Sequence, residues 1–333
     1  MTAKLKSRKK TRPPGAANSG IYGYDLIVRA AWLYYQDGRT QHEIAEILGV
    51  SRASVVNYIQ KARDRSIVSI QIKSEIVASV ELAQQLRQRF NLDDAVVVPD
   101  GGDEDDNAKR NRVADAGANY LLDRLQNGGT LGVAWGRTIR ALAERIPKAT
   151  IANLTVCQIV GSARSAEWLW AEQCSTDIAR RLGGRCLNMH APAIVSRPEV
   201  RDILLSEPLI ADQFALIKGC DVVCFGICSL EPSSLIFESG LVSKDEGDSF
   251  VKNGAAGVIG GRFFDHEGAP FDTDYDRRLM AMRLDELLAI PVRIAVAAGP
   301  LKIPALLAAM RGKYTSVLVT DAHTAHALLE HGQ

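Results

Sequence analysis

Between Tyr24 and Ala62 apolar residues recur every three or four positions, in three short runs separated by turn signals. Leu26, Ile27, Ala30, Ala31, Leu33 and Tyr34 predict a first helix, which Asp37-Gly38 stops. Thr40 is placed to cap a second helix over 41–48, and Glu43, three residues on, completes a capping box. Gly49 breaks that helix and Ser51 caps a third, whose buried side is marked by Val55, Tyr58, Ile59 and Ala62. A short β-like segment over 67–72 follows. Residues 1–20 show no period and are rich in charge, Pro and Gly, which predicts a disordered basic arm.

A further amphipathic helix is predicted over 77–90, within a connecting segment 74–92. Beyond it the pattern changes to short apolar runs at 95–99, 130–133, 154–160, 221–225, 256–259, 292–297 and 316–320. Most are followed by a helical pattern of 10–18 residues. Strands alternating with helices predict an α/β fold, a mainly parallel, doubly wound sheet covered on both faces. The expected division is therefore a basic arm at 1–20, a helical module at 21–73, a linker helix at 74–92 and an α/β domain at 93–333.

Composition narrows the picture further. At 333 residues, 47% hydrophobic and 24% charged, the chain has the make-up of a soluble two-domain protein. No apolar stretch reaches the ~18–20 residues of a membrane span, and the basic N-terminus has no apolar segment behind it, so a cytoplasmic protein is expected. The six cysteines lack the paired spacing of a zinc site, and Cys224 in DVVCFGI reads as a small buried hydrophobe. The net charge of +1 hides an asymmetry: residues 1–73 carry thirteen basic and five acidic side chains, so they stand at +8 and the remainder at −7. That confines a polyanionic partner to the first segment.

The segment QHEIAEILGVSRASVVNYIQ then acquires a function. A helix-turn-helix needs a small residue where its helices cross, a residue tolerant of positive φ at the turn, and apolar residues locking the pair. Ala45, Gly49, and the set Ile44, Leu48, Val50, Val55 and Tyr58 meet those needs. Arg52, Ala53, Ser54, Asn57 and Lys61 are left toward solvent. Arginine pairs bidentately with guanine and asparagine with adenine, while Ser51 and Ser54 suit phosphates beside helix N-terminal amides. The candidate contacts to double-stranded operator DNA are Gln41, Ser51, Arg52, Ala53, Ser54, Asn57, Tyr58 and Lys61.

These residues, together with the run WLYYQDGRTQHEIAEILGVSRASVVNYIQKARDRSIVSIQI, resemble the N-terminal domain of SorC-type sugar-responsive bacterial regulators. The likeness continues through GGTLGVAWGRT (128–138), GAAGVIGGRFFD (254–265) and AVAAGPLKIPALLAAMRGKYTSVLVTDAHTAHALL, and covers roughly residues 22–330. It implies a helix-turn-helix (winged-helix-like) domain and an effector-binding domain similar to sugar-phosphate isomerase and deaminase folds. It also implies a homo-oligomer, often a tetramer, whose DNA affinity answers to a sugar, polyol or sugar phosphate.

Ligands of open parallel sheets bind beyond the carboxyl ends of the strands. Three strand-to-helix turns are equipped for this. The first, after strand residue Gly132, holds Trp135, Gly136, Arg137 and Thr138; the second holds Gly161, Ser162 and Arg164; the third brings Lys302. In the family the third turn is usually Gly-Gly-x-x-Lys, and here Pro300 replaces the second glycine. The family often has an acidic residue where Val258 stands, so Asp265 and Asp272 are candidate replacement acceptors, or plain turn residues. Trp135 either stacks on a sugar or lies in the core. Because the loops show no dense basic run, a free sugar or polyol is favoured over a phosphate. No metal or cofactor is expected. The alternative, a sugar-phosphate isomerase or deaminase with an accessory DNA-binding domain, needs a general base that the three turns do not offer.

Overall fold

A computed structural model of the chain describes residues 25–71, 73–102, 105–163 and 170–331. It divides into two compact units at Ile72/Lys73. The basic arm at 1–20, Arg164 and Trp168 lie outside the described residues.

The first unit consists of α1 (Leu26–Tyr35), α2 (Gln41–Leu48) and α3 (Arg52–Asp64). Each starts on a side-chain cap. Asp25 accepts from the Ile27 amide, Ser51 from the Ser54 amide, and Thr40 and Glu43 form the reciprocal capping box. Its hydrogen bonds to Thr40 lower the Glu43 pKa. Gly49 ends α2 at φ +65°, a left-handed conformation that costs glycine nothing. Ala30, Ile44, Ala45, Val55 and Ile59 are buried between the helices, and Ile27, Ala31 and Ala62 form a second small cluster. The strand expected over 67–72 is not formed in its described part, 67–71. The amides of Ile67 and Val68 instead return to the Ala62 carbonyl and close the end of α3, while Ile70 stays 60% exposed. The described part of this unit offers no neighbouring strand, so an extended segment has no ladder to join.

The second unit opens with α4 (Ser74–Phe90), β1 (Asp94–Val98), α5 (Asp106–Arg124), β2 (Thr130–Val133) and α6 (Arg137–Arg145). It continues through β3 (Thr155–Gln158), α7 (Trp170–Leu182), β4 (Arg185–Leu187), α8 (Pro198–Ser206), α9 (Pro208–Lys218) and β5 (Val222–Phe225). Then come α10 (Leu235–Glu238), α11 (Lys244–Lys252), β6 (Ala255–Ile259), β7 (Arg262–Asp265), α12 (Asp274–Arg278) and α13 (Leu284–Leu288). The chain finishes with β8 (Val292–Val296), α14 (Ile303–Arg311), β9 (Val317–Asp321) and α15 (Ala322–His331). Helix α4 packs into this unit through Leu82 and Leu86, against β1 and α15.

Seven strands form one parallel sheet in the order β1-β9-β8-β5-β2-β3-β4. Both faces are covered, so strands such as β5 are buried at every position. Val222 and Cys224 face α5, α6 and α7, while Val223 and Phe225 join the cluster that includes α4, α9, α14 and α15. Burial pushes the Cys224 thiol up to about 12, leaving it an inert core residue. From β2 the chain winds outward to β3 and β4. From β5 it winds the other way, to β8 and β9. The switch point is thus between β2 and β5, where neighbouring connections diverge and open a crevice.

The run expected as a sheet strand at 256–259 lies elsewhere. It forms β6 of an antiparallel hairpin with β7, turning at Gly260 (φ +56°) and Gly261 (φ +82°). Two consecutive positive φ values make the hairpin turn that reverses a strand at once, which removes the crossover a parallel sheet requires. Strand β4 has three residues at the sheet edge, too short and too exposed to leave an apolar run.

Candidate functional site

On the first unit, α3 presents Arg52, Ala53, Asn57 and Lys61 to solvent, with Ser51 at its cap. Ser54 Oγ lies 2.9 Å from Ser51 Oγ, and Arg52 Nε donates to Gln41 Oε1 at 3.5 Å, so Gln41 steadies the arginine from the start of α2. Tyr58 is half-buried and packs against both clusters of the unit, which makes it chiefly a core residue. Further along, Arg63 Nε donates to Tyr35 Oη at 2.7 Å.

On the second unit the crevice is built from three strand ends. After β2 the chain turns through Trp135 and Gly136, whose φ of +141° is open to glycine. Helix α6 then starts without a side-chain cap, leaving first-turn amides for an external acceptor. The Arg137 guanidinium reaches across the switch point, donating to the Ser233 carbonyl at 3.2 Å and pairing with Glu238 of α10. After β8, Gly299 sits at φ +113° and donates its amide to Thr324 Oγ1 at 2.8 Å, and the turn Pro300–Lys302 leads into α14. A Cβ at Gly299 would meet nothing, and one at Gly136 only Leu235 at 3.9 Å, so both glycines border open space.

Electrostatics bind these parts together. Lys302 is half-buried as a residue, and burial of its amine holds it below its ordinary pKa; Arg110 and Arg137 lower it further, while Cys228 opposes them. Burial raises the Cys228 thiol, and Lys302, Arg137 and a hydrogen bond with Ser234 pull it back. The charges of Arg110 in α5 and Arg137 in α6 thus both act on the amine in the turn before α14. The indole Nε1 of Trp135 is buried and finds no acceptor among the described residues.

Arg110, Cys228, Ser233, Ser234 and Glu238 are additions to the residues the sequence suggested. The run CSLEPSS directly follows the apolar run DVVCFGI, so the strand-end rule applied to a fourth strand would have found most of them. Arg110 left no local signal.

Several expected contacts are placed elsewhere. Gly132 lies inside β2, where a Cβ would come within 2.8 Å of Ile159 Cγ2, so it serves packing of the sheet. Gly161 allows the backbone at 191–193 to press against it, with Ala191 O 2.7 Å from where a Cβ would stand. The Ser162 hydroxyl is engaged by Glu172 at 2.6 Å. Thr138 is buried. Asp265 Oδ1 accepts from the Glu267 and Ala269 amides at 2.9 and 2.8 Å, a turn role. Arg311, ending α14, donates to the adjacent His266 carbonyl, which puts Asp265 a helix length of ~13 Å from Lys302. Asp272 is spent on an exposed ion pair with Arg277. Val258, by contrast, is at the crevice: its backbone pairs with Cys228 in both directions, at 3.0 and 3.1 Å.

Comparison with known proteins agrees with this architecture. The profile of the family described as "Putative sugar-binding domain" matches residues 74–330. A second profile, the terminase ATPase subunit (gpP-like), matches 25–79, a stretch without a phosphate-binding glycine loop. The transcriptional regulator YjhU of Escherichia coli K12 is 37% identical over 94% of this chain and 96% of its own. The regulator LsrR of Klebsiella pneumoniae is 31% identical over 92% and 93%. The crystal structure of the full-length sorbitol operon regulator SorC from Klebsiella pneumoniae superposes with a TM-score of 0.72 at 27% identity, covering 94% of this chain and 100% of that one. With its sheet, its switch-point crevice and likeness along nearly its whole length, the chain belongs to the SorC family of transcriptional regulators, which carry a sugar-binding domain.

Proposed function

We propose that residues 21–73 read double-stranded operator DNA through α3, that 74–92 connect, and that 93–333 bind the effector and hold the oligomer together. The contacts to DNA are Ser51, Arg52, Ala53, Ser54, Asn57 and Lys61, with Gln41 orienting Arg52. The regulator works in the cytoplasm, where its DNA is, and as a homo-oligomer, because two readers are needed to span paired half-sites; the likeness to SorC-type regulators makes that oligomer a tetramer in this reading. No described helix is long and apolar enough to cross a membrane, which accords with that setting.

The effector is a sugar phosphate or polyol phosphate held at the β2/β5 switch point. One observation carries this: Arg137 and Lys302 follow the two strands that flank β5, beside the uncapped start of α6, and the charges of Arg110 and Arg137 both act on the Lys302 amine. A phosphoryl group would supply Lys302 with a counter-charge and the open amides of α6 with an acceptor, and could share Arg137 with Glu238, whereas a neutral polyol would bring no charge to Lys302. Sequence order scatters the three, so the preference for a free sugar drawn from the loops alone is reversed. Trp135 Nε1 and Glu238 supply a donor and an acceptor for hydroxyls.

Matched pairs of free and phosphorylated pentoses, hexoses and polyols, titrated by calorimetry and thermal shift, test the reading. Phosphorylated members should bind, and the best should change the affinity of the full chain for DNA upstream of its operon. Binding of free sugars only would remove the phosphate assignment. DNA affinity indifferent to every ligand would remove effector control.

A further inference from the structure

Helix α3 carries an apolar residue that no core explains. Val56 is 47% exposed, on the flank of the helix about 60° around from Ile59 and outside the buried stripe of Val55, Ile59 and Ala62. A single exposed valine is ordinary; its neighbours give this one a use. At 3.6 residues per turn, Arg52, Ala53, Val56 and Asn57 form one contiguous patch. Elsewhere on the helix polar groups are already engaged: Ser54 with Ser51, Gln60 Nε2 with Asp64 Oδ1 at 2.9 Å, and Arg63 with Tyr35. Asn57 makes no side-chain hydrogen bond to a described residue. The exposed patch thus offers a guanidinium, an amide and, between them, two apolar groups.

We propose that Ala53 and Val56 form an apolar reading surface for the 5-methyl group of a thymine in the major groove, with Val56 a specificity-determining residue. This rests on the DNA-reading role proposed above for α3. Of the four bases only thymine presents a methyl group in that groove, and aliphatic side chains are what recognise it. Charge selects the occupant: Arg52, Lys61, Arg63 and Arg65 lie on or at the end of the helix, and its one acid, Asp64, accepts from Gln60. Four residues along a helix span ~6 Å and base pairs stack at ~3.4 Å, so the thymine lies one or two base pairs from the base that Arg52 meets. The half-site therefore combines a hydrogen-bonded purine with a methyl-read thymine beside it.

The test uses the full chain and a duplex it enriches from a randomised pool. Each thymine of that duplex is replaced in turn by uracil, which removes the methyl group alone. One replacement per half-site should weaken binding about four-fold, the worth of one buried methylene-sized group. Val56→Ala should lose a similar factor on the thymine duplex and become indifferent to that uracil. Its melting temperature should match wild type, because the side chain is exposed. An enriched duplex insensitive to every uracil overturns this inference and leaves the DNA-reading role standing. So does a uracil effect that persists in Val56→Ala, or a Val56→Ala variant that loses its oligomeric state but not its uracil sensitivity. Failure to enrich any sequence overturns the DNA-reading role and this inference with it.

Discussion

Lys302→Met separates what the crevice costs the protein from what it gives the ligand. Methionine keeps the unbranched stem and removes the ammonium. In the folded chain that amine is desolvated and faces Arg110 and Arg137, so its pKa is below the ordinary lysine value. Unfolded, it titrates near ~10.4. Between the two values the unfolded state binds more protons, so stability rises with pH across that window. Below the lowered value the charged amine is a constant burden on the fold. Without ligand, Lys302→Met should therefore be more stable than wild type at neutral pH, and its stability should lose the alkaline rise. Binding should move the opposite way. A hydrogen bond to a charged partner contributes ~1.5–3 kcal/mol, so affinity for a sugar phosphate should fall roughly 10- to 150-fold. Urea unfolding followed by tryptophan fluorescence from pH 7 upward measures the first effect, and calorimetric titration the second. A variant less stable than wild type that binds sugar phosphate equally well would refute the reasoning, because the ammonium would then be satisfied inside the protein.

The other expectations concern each unit separately. Arg52→Ala should remove about 1–3 kcal/mol of discrimination between operator and scrambled duplexes in anisotropy titrations, with effector affinity unchanged. Thr40→Ala deletes half of the capping box and should cost about 1 kcal/mol, read as a lower melting temperature and weaker DNA binding. Gly132→Ala forces a Cβ to within 2.8 Å of Ile159 Cγ2 in a central strand. Overpacking of that kind should destabilise by about 1–3 kcal/mol in denaturant while effector affinity holds, since Gly132 is not at the crevice.

The helical unit was legible almost residue by residue. Its caps at Thr40 and Ser51, its break at Gly49 and its buried positions all act over four residues or fewer, so the order of side chains is enough to specify them. The segment after Ala62 misled for a non-local reason: its apolar residues suit a strand, but strand formation depends on a neighbour that the described part of this unit does not offer. In the sheet, apolar runs located six of the seven strands, and the glycine turns before Arg137 and Lys302 marked two sides of the crevice. The hairpin of β6 and β7 carried a local signal too, Gly260-Gly261 between apolar runs, and a two-residue glycine turn is the cue that distinguishes it from a strand followed by a crossover.

What the sequence determined by itself is the set of elements, because periodicity, capping and turn chemistry are short-range. What only the tertiary structure decided is adjacency. Strand order placed β2 beside β5, and that made the loop after Cys224 part of the site and carried Arg137 across to Glu238. The same folding let the charge of Arg110 act on Lys302 and left Asp265 at the far end of α14. Long-range pairing sets which charges share a low-dielectric space, so the charge at the candidate crevice is set by the fold of the sheet rather than by any one loop.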